Sequence, residues 1–312
     1  MATFVLYNYR FEMLPREGGD VFEQVLKPVN PVESFGRRQE IFGDIFKKDY
    51  SCERNLVFES KRNKIFAHRQ VVDPKDDVYV LQIQNRKTHT KETENFGKLK
   101  DYEFPTCFVI FDNRKEMQRL AIQKRQAAFG GVEAVERYLL NTLNKELKRW
   151  GLKVFFDRQI EPKAFWTLAE DRHNYPKGFK RVHFYLPPLN LERQRKVFSN
   201  LSFWIRAAFD SGMDWGVNAR KGECLRLDRT ESKQAQLIEA MTRDVGGGKT
   251  VLMVPVDRHQ KAVWLGRDNY VEDRIDTEYL TRLAANGEEN AELFDVREAA
   301  LNEIKLFMMR KH

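Results

Sequence analysis

The amino-acid sequence predicts an α+β protein, mainly antiparallel sheet with helices in its first half and more regularly alternating β and α in its second. Three observations carry this. Phe104–Trp150 reads as a hairpin followed by an amphipathic helix. Upstream of it, strand-like segments follow one another with few helices between. Downstream of Gly151, apolar strands and helical segments take turns. The change of rhythm places a boundary between Gly151 and Glu161, giving expected domains 1–151, an antiparallel-sheet unit, and 152–312, a basic α/β-type unit, with one compact unit as the alternative.

Thr3–Met13, with its run Phe4–Glu12, reads as a strand until Pro15 and Gly18-Gly19 interrupt it. Pro31–Lys48 is expected to be a helix, with Ser34 as a possible cap and Phe35, Ile41, Ile45 and Phe46 near one face. Leu56–Glu59 and Lys64–Val71 form a hairpin turned at Lys61-Arg62-Asn63, and Val78–Lys87 is a further strand. Thr88–Lys100 is polar and reads as a loop or a ragged strand extension. Thr106–Phe111 is apolar on both faces, as a strand covered on both sides must be. Asp112-Asn113-Arg114 supplies turn chemistry, and Arg119–Gln123 returns as the second strand. Val132, Val135, Leu139, Leu143, Leu147 and Trp150 then recur at helical spacing, with Gly151 placed to end the helix.

In the second half Leu152–Phe156 is a strand, Pro162–Asp171 a short helix and Phe179–Leu186 a strand closed by Pro187-Pro188. Leu191–Phe209 reads as a long helix. Asp214–Leu227 suggests two short strands around Lys221-Gly222, and Thr230–Thr242 a helix. Val251–Val256 and Ala262–Leu265 are strands. Helices over Thr277–Ala285 and Val296–Arg310 close the chain.

A chain of 312 residues buries about 75% of its unfolded surface, so it folds without disulfides or metal. Cys52, Cys107 and Cys224 are far apart and have no zinc-ligand spacing with the histidines, so they read as reduced thiols, Cys107 in the core. Met1–Met13 lacks the basic start of a signal peptide, and no apolar run is long enough to span a bilayer. The expectation is a cytoplasmic protein without a membrane partner. The net charge is +8, and it is concentrated: between Ile110 and Asn200 nineteen Lys and Arg face ten Asp and Glu. A cationic middle favours DNA or RNA backbones, with Arg114, Arg119, Lys124 and Arg125 among the candidate contacts, although a solvated surface has the same composition.

Gly246-Gly247-Gly248-Lys249-Thr250 looks like the end of a phosphate-binding loop. Arg243 stands where the first glycine belongs, and a helix precedes the glycines where a strand is needed, so a connection is the better reading. Lys177-Gly178-Phe179-Lys180-Arg181-Val182-His183-Phe184 partly resembles the strand signature of RNA-recognition motifs. Lys180 replaces a small residue and Arg181 the second stacking aromatic, and the resemblance covers this strand alone. It implies contacts from Lys177, Phe179, Lys180, Arg181 and His183; the alternative is a basic edge strand with an aromatic inner face. Glu59-Ser60-Lys61, with Asp44 and Asp49 upstream, fits the carboxylate and Lys set of a magnesium-dependent nuclease, and Glu161-x-Lys163 after Asp157 and Glu231-x-Lys233 after Asp228 are weaker copies.

The leading expectation is a nucleic-acid-binding protein without cofactor, a subunit of a bacterial defence or mobile-element system. That placement rests on what motif-free basic proteins commonly do, and no residue carries it. The alternatives are a magnesium nuclease using Glu59, Lys61 and Asp49, and a regulatory subunit that binds a protein partner through apolar surface such as Leu301, Ile304, Phe307 and Met308.

Overall fold

A computed structural model describes residues 1–14, 31–46, 58–59, 65–75, 77–114, 117–186, 213–244, 251–266, 270–276, 278, 280–281 and 292–310. It shows an α+β fold in which the strand pairings are antiparallel. The organising strand is β1 (Ala2–Met13), buried on both faces from Phe4 to Tyr9. One edge of β1 pairs with β8 (Arg119–Gln123). Beyond β8 come β7 (Thr106–Asp112), β4 (Val78–Gln84), β3 (Ile65–Lys75) and β2 (Phe58–Glu59). The other edge is shared end to end by β9 (Leu152–Arg158), opposite Tyr7–Met13, and β14 (Glu272–Ile275), opposite Ala2–Val5.

Side-chain alternation along β1 divides the core. Val5, Tyr7, Tyr9 and Phe11 face α2 (Arg38–Phe46) and α4 (Val132–Leu147), while Phe4 and Leu6 face the last helix, α7 (Glu292–Met309). The first face is built from rings: Phe111 lies 5.1–6.1 Å from Tyr9, Phe42, Phe46 and Phe156. α4 ends in a short 3-10 turn and Gly151 at φ 65°, the left-handed position that favours glycine.

The helix expected over Pro31–Lys48 is divided at Arg37 into α1 (Pro31–Gly36) and α2. The polar stretch after Gln84 is an extension, β5 (Lys87–Glu92) paired with β6 (Lys98–Glu103) as a separate ribbon. Its cross-strand ladder, with a Lys91–Asp101 ion pair and a contact of His89 Nε2 with the Glu103 carboxylate, replaces the apolar face that sequence patterning looks for. A short α3 (Gln126–Phe129) precedes α4. The expected helix at 191–209, the glycine run at 246–250 and most of 277–285 lie outside the described residues.

The second sheet has the order β11-β10-β12-β13, comprising Met213–Asn218, Phe179–Leu186, Val251–Pro255 and Val263–Leu265. Asp214–Leu227 therefore holds one strand, with no second one after the Lys221-Gly222 turn. α5 (Pro162–Ala169) and α6 (Ser232–Asp244) share one core with this sheet, containing Phe165, Trp166, Phe184, Ile238 and Met253. This unit is an insertion. The backbone leaves the first sheet at Gln159 and returns at Val271, and those residues are joined to each other and to Leu6: Gln159 N–H and Val271 O bond Leu6, while Val271 N–H bonds Gln159 O, at 2.8–3.1 Å. Ile160 bridges Tyr270 one residue further out. The sheets consequently do not divide at residue 151. β9, β14 and α7, all downstream of it, complete the first unit.

Leu301, Ile304, Phe307 and Met308 are at most 3% exposed against the first sheet, so α7 does not offer them to a partner. Cys107 is buried on β7, donating to the Gln123 carbonyl, and burial pushes its thiol up to about 12. Cys224 is exposed. Iodoacetamide followed by peptide mapping is expected to modify Cys224 in the native protein and Cys107 only after denaturation. Equal native labelling of both would contradict the buried placement.

Candidate nucleic-acid interface

The cations predicted on the β7–β8 hairpin serve the fold. Arg114 makes a two-pronged ion pair with fully buried Asp112, at 2.8 Å from Nε and 2.6 Å from Nη2. Arg119 is itself buried; its Nη1 donates to the Met308 and Arg310 carbonyls at the C-terminal end of α7. This corrects its expected role, because a guanidinium held by helix carbonyls inside the protein does not reach a phosphate. Lys124 pairs with Glu272 at 2.6 Å, tying β8 to β14 across β1, and Arg125 donates to the Thr106 carbonyl at 3.0 Å. Both remain exposed.

The predicted strand on β10 behaves differently. It is central, between β11 and β12, and a register shift lies between Phe179 and Arg181. Phe179, Val182 and Phe184 are buried against α5 and α6. Phe179 is therefore a core residue, 1% exposed, packed on Tyr175, and corrected as a base-stacking candidate. The aromatics of the resembled signature point the wrong way for stacking.

On the other face of the sheet Arg181, Asp214, Gly216, Asn218 and Trp264 are exposed, and His183, Tyr185 and Leu252 are half-buried. Registry places Gly216, His183, Leu252 and Trp264 in one row across the four strands, with Arg181 and Asn218 in the next row on one side and Tyr185 and Asp214 on the other. Arg181 Nε donates to Asn218 Oδ1 at 2.5 Å. His183 contacts Tyr185 with ring centroids 4.6 Å apart, and Tyr185 lies 5.6 Å from Trp264, which is 41% exposed. Tyr185 and Trp264 were not singled out from the sequence. The signal was present for Tyr185, since Arg181, His183 and Tyr185 alternate with Val182 and Phe184; Trp264 sits in a strand too short to show a period.

Cations collect at the Arg181 end. The chain before β10, the chain after β11 and the chain after β12 meet there: Val256 N–H bonds Gly178 O at 3.0 Å, Ala219 N–H bonds Lys180 O at 2.8 Å and Leu225 N–H bonds Phe179 O at 2.8 Å. Gly178 adopts φ 66°, and a Cβ there would lie 2.8 Å from Arg172 Nη1, so glycine admits that guanidinium against the turn. Residues 172–181, 219–226 and 256–261 together hold nine Lys and Arg and two acids, Glu223 and Asp257. Asp257 is committed to the rim itself: it accepts from His259 N–H and pairs with Lys177 at 3.4 Å, and these lower its carboxyl pKa, the backbone bond most. Lys177, Arg181, Arg220, Lys221 and Arg258 are exposed, and Lys180 is half-buried.

Of the carboxylate sets expected for a nuclease, the first falls largely outside the described residues. Asp49 and Lys61 lie outside the described residues, and Glu59 is described by its backbone pairing with Ile65. Asp157 is buried and paired with Arg10 at 2.8 Å, and Asp228 accepts from both the N–H and the hydroxyl of Thr230. Among the described residues no three His, Cys, Asp or Glu side chains group closely enough to hold a metal ion. No described helix is long and apolar enough to cross a membrane. No protein-family model matches the chain, and no curated protein is significantly similar to it.

Proposed function

We propose that the protein binds nucleic acid, with the cationic rim of the second sheet as the site of phosphate contact. The observation that carries this reading is the convergence of three separate loops, rich in Lys and Arg and poor in acids, at one end of one sheet. Exposed cations gathered in this way attract a polyanion and release its condensed counterions, whatever the base sequence. Lys180, Arg181 and Arg220 suit a test better than Lys177, which already holds Asp257.

The triple variant Lys180→Glu, Arg181→Glu, Arg220→Glu is expected to weaken binding to every DNA and RNA oligonucleotide by about tenfold or more. It should also flatten the dependence of log affinity on log salt by roughly 0.7–0.9 per lost phosphate contact. A binding titration repeated across a salt series measures both quantities. Wild-type affinity and slope in a folded triple variant would remove the rim from the binding surface.

A further inference from the structure

We infer that the face of the second sheet that carries Tyr185 and Trp264 is a base-stacking platform that selects single-stranded nucleic acid over duplex. The inference rests on the nucleic-acid reading above and assigns the form of polymer that its site takes. Three features of the face argue for it. First, Tyr185, half-buried, and Trp264, 41% exposed, form an aromatic pair on the side of the sheet opposite Phe179, Val182, Phe184 and Met253, which already supply the core. Large rings placed there are not needed to hold α5 and α6. Second, the face is graded: Arg181 and the cationic loops stand at one end, Tyr185 lies four residues further along the same strand, Trp264 two strands across, and Asp214 sits opposite Tyr185 at the far end. A strand whose phosphates lie on the cations is thus directed to lay its bases over the rings. Third, His183 leans across β11. A Cβ on Gly216 would lie 2.8 Å from His183 Cδ2, so the missing side chain at Gly216 is what leaves room for the imidazole beside Tyr185.

Ring faces interact with the faces of bases, and a duplex has no base faces to offer along its length, because each is covered by its neighbours. The cations by themselves hold either form. Preference for single strands must therefore reside in Tyr185 and Trp264, and the part of single-strand affinity that these rings supply should be independent of salt, since stacking releases no counterions.

The test uses the full chain with three labelled probes of equal length: a thymidine DNA oligonucleotide, a uridine RNA oligonucleotide and a DNA duplex. Wild type is expected to prefer either single strand over duplex by tenfold or more. Tyr185→Ala and Trp264→Ala should each weaken single-strand binding by about tenfold, leave duplex binding unchanged and leave the salt slope unchanged. Tyr185→Phe and Trp264→Phe retain a ring and should restore single-strand affinity, which separates stacking from folding damage. Trp264 emission should be quenched by the thymidine probe, a signal missing from Trp264→Phe. Equal binding of duplex and single strand by wild type, or unchanged single-strand affinity in the double alanine variant, overturns the platform. If the rim variants still lose affinity in that case, the broader reading survives. If neither set of variants alters binding, both readings fail.

Discussion

Phe111→Ala is expected to lower the unfolding free energy by about 3–5 kcal/mol, the range for truncating a large aromatic in a core that cannot collapse around the gap. Phe111 is fully buried on β7 and is the ring on which several elements converge: Tyr9 from β1, Phe42 and Phe46 from α2, and Phe156 from β9. These partners come from β1 and β9, both beyond β8 on one side of β7, and from a helix packed over the sheet, and β-sheet neighbours fixed by ladder hydrogen bonds have little freedom to close inward. Domain stabilities are typically about 5–15 kcal/mol, so the loss is a large share of the total. Urea unfolding followed by far-UV circular dichroism measures it as a shift in midpoint at unchanged slope. Phe96→Ala is the control. Phe96 is 94% exposed, and its truncation should change stability by no more than about 0.5 kcal/mol. A Phe111→Ala loss under roughly 1.5 kcal/mol, the range of a tolerated core swap, would show that this ring is not the convergence point described.

Local pattern explains which parts of this architecture were legible in the sequence. β1, β7, β8, α4 and β10 carry apolar runs, alternation or helical spacing dense enough to specify the element, and each appears with boundaries close to those expected. The β5–β6 ribbon carries polar residues on both faces, so no periodicity distinguishes it from a loop, and its pairing becomes visible only with both strands in view. β14 is four residues long and includes Glu272, Asp273 and Arg274; its place in the sheet is set by β1. The insertion is illegible for a related reason. It depends on Gln159 meeting Val271, and neither residue carries a mark of that meeting. At the candidate interface, Lys177, Lys180, Arg181 and His183 were chosen for charge and type, and they do lie at or beside the face that carries Tyr185 and Trp264. Phe179 was assigned to the wrong side because a register shift separates it from Arg181, and a one-residue shift exchanges the two faces of a strand.

Arg119 shows most directly how a cation can be misread, and it yields a prediction that separates structural from binding roles. Arg119→Met is expected to cost about 3 kcal/mol of stability and to leave nucleic-acid affinity unchanged. The guanidinium donates to the carbonyls of Met308 and Arg310, groups left without intrahelical partners where α7 ends. Hydrogen bonds to charged groups contribute roughly 1.5–3 kcal/mol each, and a cation at a helix C-terminus adds about 0.3–1 kcal/mol through the helix dipole. These gains are partly offset by the desolvation of the buried charge, so the net falls well short of the sum. Methionine keeps the apolar stem of the side chain packed while removing the donors, so the loss reports the cap rather than a cavity. The cap also fastens α7 against the sheet face lined by Phe4 and Leu6, and amide exchange should therefore rise most in α7 and along β8. Hydrogen exchange and urea unfolding test the structural half, and the salt-series titration tests the other. Unchanged stability together with weakened oligonucleotide binding would return Arg119 to the phosphate-contacting role its sequence context suggested and would refute the cap.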